Sequence, residues 1–474
     1  MLFSSNIFIF AFLPAVLLAY FLLPTRFRNY FLLAASLFFY AWGEPKFVLA
    51  MLASILLNFA FALLVDRTRE HRRIAKGIVA ISVAANLGLM FVFKYLNFAI
   101  SNLNQLFDGF LPQTHVVLPI GISFFTFQAL SYVVDVYRGD APVQKNPFYV
   151  GLYIAFFPQL IAGPIVRYET IAGQIERRTI TFDDFSQGTK RFVVGMCKKV
   201  LLANTFAVVA DASFAITAPA GHSVAFAWLG ALAYSFQILF DFSGYSDMAI
   251  GLGRMFGFHF LENFDYPYLA KSVSEFWRRW HISLSTWFRD YVYFPMGGSR
   301  VERKSRLVFN LFVVWLLTGV WHGASWNFAA WGLFYFVLLT FEKLTRIPGN
   351  LKSRPGRVLY QAFTLLCVQI GWVLFRATNL PNAVRYGLDM FGLRGNAWID
   401  GQAILYFREN WVFLVFATLC AAPFFRRLKQ ATARFPAIFR LVAAFSVAMY
   451  LGLFLLSISY LVVGAYNPFI YFNF

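Results

Sequence analysis

The stretch Leu307–Phe341 reads LVFNLFVVWLLTGVWHGASWNFAAWGLFYFVLLTF: 35 residues without a single Asp, Glu, Lys or Arg. A membrane span needs about 20 apolar residues, so this run is too long for one straight span and barely long enough for two. Gly319 and Gly323 offer a place where a helix can bend or break, and between them sits one histidine, His322. An ionisable side chain in such a stretch is costly and commonly faces a protein-lined cavity or a substrate path. A hydrogen-bonded, inert histidine in a loop between two short spans fits the residues equally well.

The rest of the chain extends this reading. Of 474 residues 59% are hydrophobic, 13% are charged and 60 are Phe, with a mean hydropathy of +0.62. That composition belongs to integral membrane proteins. The apolar runs are long and continuous, without the ten-residue alternation of a transmembrane barrel, so the expected class is an all-α integral membrane protein. Apolar stretches fall near 6–23, 30–43, 47–65, 77–97, 117–135, 147–165, 190–212, 224–256, 307–341, 358–376, 411–425 and 438–464. At about 20 residues per span they give roughly 9–12 spanning helices, with re-entrant or interfacial pieces. No repeat and no segment long enough for a soluble domain is visible, so residues 1–474 read as a single polytopic domain.

The formal net charge is +19. In a membrane chain this does not point to nucleic acid. The basic clusters at Arg67–Arg73, Arg177-Arg178, Lys198-Lys199 and Arg278-Arg279 read as cytoplasmic loop markers and lipid headgroup contacts. The charge-free residues 1–5, the basic loop at 66–76 and the Lys/Arg-free segment 101–116 place the N-terminus outside. The opening apolar segment has no basic leader region and reads as a retained first span. Cys197, Cys367 and Cys420 are odd in number and lack CxxC spacing, which favours free buried thiols.

Three more polar islands interrupt the apolar pattern. In DFSGYSD (241–247) two aspartates lie six residues apart at membrane depth, where they need partners or water. The island is either a polar cavity wall or a helix break with Asp241 as N-cap. In EFWRRWHISLSTWFRDY (275–291) helical spacing puts Trp277, Trp280, Leu284 and Trp287 on one face and Arg278, His281 and Ser285 on another. A helix lying at or dipping into the membrane fits, as does a surface helix with aromatic anchors. In FPQLIAGPIVRY (157–168) two prolines and a glycine argue against a continuous helix, and on the residues alone a surface loop is the simpler reading. His281 and His322 have no ligand-spaced companions, so no metal is expected, and neither a G-x-S-x-G elbow nor a P-loop occurs.

Taken together, PQLIAGPIVRY (158–168), DFSGYSDMAIGLG (241–253), EFWRRWHISLSTWFRDYVY (275–293), GVWHGASWNF (319–328) and the tail FIYFNF (469–474) resemble the membrane-bound O-acyltransferase family. The likeness is strongest to its bacterial alginate O-acetyltransferase branch. MLFSSNIFIFAFLP at the start and LPIGISFFTFQALSYVVDVYRGD (118–140) are similar too, so the resemblance covers nearly the whole chain.

The resemblance implies a multi-span bundle around a central polar cavity or funnel. It implies an acyl group passed from a cytoplasmic thioester, with acetyl-CoA as donor substrate and no bound cofactor, to a hydroxyl of a secreted exopolysaccharide such as alginate or cellulose. His322 falls on the family's catalytic histidine. His281 falls on a second motif position, Asn in many eukaryotic relatives and His in this branch. Asp241, Tyr245, Arg278 and Trp321 fall on motif positions and are candidate substrate-binding residues. The branch further implies a bacterial inner-membrane location and a periplasmic or membrane-anchored acetyltransferase partner. A transporter or channel for an acyl donor or polymer is the rival reading, disfavoured by the absence of paired halves. A structural subunit of a secretion complex would leave the polar islands unexplained.

Overall fold

The computed structural model describes residues 1–216, 221–464 and 466–470, apart from the side chains of residues 439–441 and 443. Among the described residues nine helices are long and apolar enough to cross a membrane and no strand occurs. The nine are Val48–Arg67, Arg72–Leu106, Phe182–Phe214, Val224–Met255, Lys304–His322, Trp326–Thr345, Arg354–Arg376, Gly401–Cys420 and Ala444–Val462. The protein is therefore a multi-pass helical membrane protein. The apolar helix Phe8–Leu22, where a first full span was expected, falls short of that length.

The chain forms two compact units: Met1–Phe192 with Tyr245–Leu261, and Val193–Gly244 with Glu262–Phe474. In the first unit the helix Ile122–Arg138 is buried along nearly its whole length. Asn58 and Asn86 exchange reciprocal amide hydrogen bonds of 3.0 and 2.8 Å, joining the helices that carry them where water is excluded. The segment 156–166 breaks into Phe157–Leu160 and irregular backbone, as its prolines require. Yet every residue in it is buried, so it is not a surface loop. The Tyr153 hydroxyl lies 3.0 Å from the Val166 carbonyl, and the Gln159 amide donates to the Tyr153 carbonyl. Protein groups thus replace water for backbone that has no helical partner.

The second unit contains the uncharged 35-residue stretch, which forms a helical hairpin. One helix ends at His322, Gly323 is extended, and Ser325 caps the next helix by accepting from the Asn327 N–H. The two helices touch backbone to backbone at Gly319 and Gly332. A Cβ on Gly319 would sit 2.3 Å from the Phe328 carbonyl oxygen, and one on Gly332 2.3 Å from that of Trp315. Small residues permit this approach where the hydrophobic effect cannot drive helices together.

Two of the basic pairs do more than mark loops: Arg177-Arg178 lies in the connection between the helices Tyr168–Glu176 and Phe182–Cys197, whereas Lys198-Lys199 lies inside a helical stretch. The Arg178 guanidinium turns inward within the first unit to the Phe256 carbonyl, the Tyr20 hydroxyl and Asn29 Oδ1. Lys199 is 2% exposed inside the helical stretch Phe182–Phe214.

Candidate active site

His322 occupies the last turn of its helix and is buried. Three aromatic rings enclose its imidazole: Trp321 at 5.0 Å between centroids, Trp331 at 5.1 Å and Phe375 at 5.1 Å, all close to edge-to-face. Trp331 comes from the second helix of the hairpin and Phe375 from Arg354–Arg376. Asn327 donates to the Ala377 carbonyl and so fixes the start of one helix to the end of the other. The Gly319–Gly332 contact lies within one turn of His322 and beside Trp331, so it sets the spacing of the histidine and its aromatic wall together.

The tryptophan-rich island forms two short helices, Val273–Arg279 and Ile282–Phe288, where the sequence spacing suggested one. His281 sits at the joint with φ +44°. Asn263 secures the turn: its carbonyl accepts from Ile282 N at 2.9 Å, and its Oδ1 accepts from Ser283 N at 3.1 Å and Ser283 Oγ at 2.9 Å. The same Oδ1 lies 3.2 Å from His281 Nδ1. The Phe242 ring meets His281 at 4.6 Å and 85°. Across the site the Trp321 ring lies 6.2 Å from His281 and 5.0 Å from His322, so the two histidines flank one indole. The structure thus gathers His281, His322 and Trp321 into one buried group.

The other motif residues have contacts of their own. The helix Val224–Met255 continues through Asp241, which excludes the helix break. Asp241 is 1% exposed and pairs with Lys199 Nζ at 2.7 Å. Its Oδ2 accepts from the Ile470 N–H at 2.9 Å, and Lys199 also reaches Asn204 Oδ1 at 3.0 Å and the Pro468 carbonyl. The tail residues Phe469 and Ile470 are therefore buried against an ion pair and not spread at an interface; residues 471–474 of that tail lie outside the described residues. Tyr245 is buried in the first unit, its ring stacked on Phe3 at 4.6 Å, and Asp247 there pairs with Arg191 at 2.7 Å. Arg278 is exposed, and its Nε donates to the Ser274 carbonyl. Among the described residues no group of three His, Cys, Asp or Glu side chains gathers as metal ligands.

Sequence reading passed over two residues that build the site. Asn263 shapes the His281 turn. Glu342 accepts from the Val273 and Ser274 N–H groups at 2.8 Å each, capping the tryptophan helix, and its Oε1 accepts from Tyr360 at 3.0 Å. Glu342 is the first charged residue after the 35-residue stretch, which was its available signal. On the same short helix, burial pushes the Glu275 carboxyl up, but the Lys271 N–H and the Arg279 guanidinium outweigh it and leave it below its ordinary value.

Residues 142–347 match the model of the membrane-bound O-acyltransferase family. Over all of both chains the protein is 41% identical to a "probable alginate O-acetylase" of Pseudomonas putida. The chain belongs to the membrane-bound O-acyltransferase family. It is 35% identical to a peptidoglycan O-acetyltransferase of Helicobacter pylori over 83% of this chain and 80% of that one. Against a teichoic acid D-alanyltransferase of Bacillus subtilis the identity is 29%, over 56% of this chain and 70% of that one. The common element of these names is transfer of an acyl group, and the protein is a membrane-bound O-acyltransferase.

Proposed function

We propose that this chain is an inner-membrane O-acetyltransferase, its N-terminus periplasmic, that takes acetyl groups from acetyl-CoA on the cytoplasmic side for O-acetylation of a secreted exopolysaccharide such as alginate or cellulose. The observation that carries the reading is the buried pairing of His322 and His281 around Trp321. A hydroxyl oxygen attacks the thioester carbonyl carbon while a neutral His322 nitrogen takes the hydroxyl proton. The C–S bond then breaks, and the leaving thiolate takes the proton back from the imidazolium. Histidine suits this exchange because its ordinary pKa lies near neutrality. The aromatic wall keeps water from competing with the acceptor hydroxyl. His281, held by Asn263, orients the thioester from the other side of the indole. A site reachable from both faces lets donor and acceptor meet without either crossing the bilayer. Handing the group to a polymer falls to a periplasmic or membrane-anchored acetyltransferase partner.

Purified protein with radiolabelled acetyl-CoA tests the reading. Wild type is expected to cleave the thioester or label an added acceptor, and His322→Ala to lose this while still folding. Full activity in His322→Ala removes the histidine from the mechanism. Uptake of labelled donor into sealed vesicles without transfer would identify a transporter instead.

A further inference from the structure

The aromatic packing beside His322 holds three polar atoms that the reaction above leaves unused. The indole nitrogens of Trp277 and Trp331 and the hydroxyl of Tyr335 are buried and make no hydrogen bond within the protein. The residues themselves are 7%, 1% and 0% exposed. They form one cluster, with ring centroids 5.4 Å apart for Trp277–Trp331, 4.9 Å for Trp277–Tyr335 and 5.2 Å for Trp331–Tyr335. Trp331 is also the ring set edge-to-face on His322.

Several other aromatic donors in this unit have acceptors, although the Tyr234 hydroxyl does not. Trp372 donates to the Tyr268 hydroxyl at 3.1 Å, Tyr268 to the Ser235 carbonyl at 2.6 Å, and Trp228 to the Met390 carbonyl at 2.7 Å. Each buried donor left unmade costs about 1–3 kcal/mol, and Phe at the same positions would avoid that cost. Three such donors fall together in the cluster that adjoins the candidate base. At Tyr335 room has been kept for the hydroxyl, since a Cβ on Gly371 would sit 2.4 Å from it. An indole N–H only donates, so what completes this cluster must bring acceptors. Aromatic walls favour an uncharged acceptor such as a carbonyl oxygen over an ion.

We infer that Trp277, Trp331 and Tyr335 are the donor set that receives the carbonyl oxygen of the acyl thioester and holds the negative charge that gathers on it during transfer. This rests on the acyl-transfer reading above. Fixed donors in a water-excluded site stabilise such charge without reorganising, and loss of one donor from a comparable site lowers kcat by about 10²–10³-fold.

The test uses the full-length protein and single Trp277→Phe, Trp331→Phe and Tyr335→Phe variants, with thioester cleavage followed against acetyl-CoA concentration. The expected result is kcat lowered about 10²-fold by Trp331→Phe and by Tyr335→Phe, with KM changed far less. For Tyr335→Phe a melting temperature at or above wild type is expected alongside, because a costly buried donor has been deleted, whereas the tryptophan variants also lose packing. Should a tryptophan variant fail to fold, Tyr335→Phe decides, since it removes one oxygen atom. Wild-type kcat in folded variants overturns the donor set and leaves acyl transfer standing. Absence of thioester cleavage in wild type removes the reading beneath it, and the donor set falls with it.

Discussion

Gly319→Ala probes the contact that spaces His322, the proposed base, from its aromatic wall. The new methyl group would meet the Phe328 carbonyl oxygen at 2.3 Å, whereas ordinary contact begins near 3.4 Å. The obstacle is helix backbone, which cannot rotate away as a side chain tip would, so the hairpin helices must part by about 1 Å. Overpacking of this kind costs about 1–3 kcal/mol. Because His322 follows Gly319 by three residues and Trp331 adjoins Gly332, the parting also shifts His322 against Trp331. A misplacement of about 1 Å lowers rates by about 10²-fold. The assay pairs thermal unfolding in detergent with thioester cleavage. Gly77→Ala is the control: that glycine is exposed in the helix Arg72–Met90 with nothing within 4 Å of a new Cβ, and Ala should stabilise by about 0.5–1 kcal/mol. Gly319→Ala matching wild type in both melting temperature and rate would refute the argument that this backbone contact sets the site.

Two further substitutions test the supports around the site. Lys199→Met leaves Asp241 buried without its cation and should cost about 3–5 kcal/mol by thermal unfolding, with much of that recovered in Lys199→Met/Asp241→Asn; no recovery would mean that the lysine acts chiefly through Asn204 and the Pro468 carbonyl. Glu342→Ala strips the acceptors from the Val273 and Ser274 N–H groups and should destabilise by about 1–3 kcal/mol for each buried group left unpaired. If melting is unchanged, solvent already reaches that helix start.

Much of this architecture could be read from the chain because lipid allows so few solutions. The uncharged run became a hairpin broken at Gly323, one of the two glycines near its centre, whereas the islands 157–168 and 275–291 proved to be a buried irregular segment and two short helices where a surface loop and one helix were the simpler readings. Charge was the misleading signal. Lys198-Lys199 looks like a loop marker because a basic pair inside a span is rare, and what makes Lys199 tolerable is an aspartate 42 positions away in sequence. Arg178 does lie in a connection, but its half-buried side chain turns inward to Asn29, Tyr20 and a carbonyl beyond residue 250. The joint before Ile282 carries neither Gly nor Pro, so nothing in the helical spacing betrays it; the hydrogen bonds that hold it come from Asn263.

That joint limits which residues position 281 can hold before any chemistry is asked of it. A φ of +44° is strained for most side chains, while Asn, Asp and His occupy this region several-fold more often than others. The resemblance described above gives His here and Asn in many eukaryotic relatives, and both are among the few types the backbone accepts. The alternation between them thus need not record two mechanisms; it can record one turn geometry drawing on a short list of polar residues. It follows that Ala at position 281 removes a ring and strains a turn at once, whereas Asn removes only the ring, and that the chemical contribution of this histidine is read from the Asn variant.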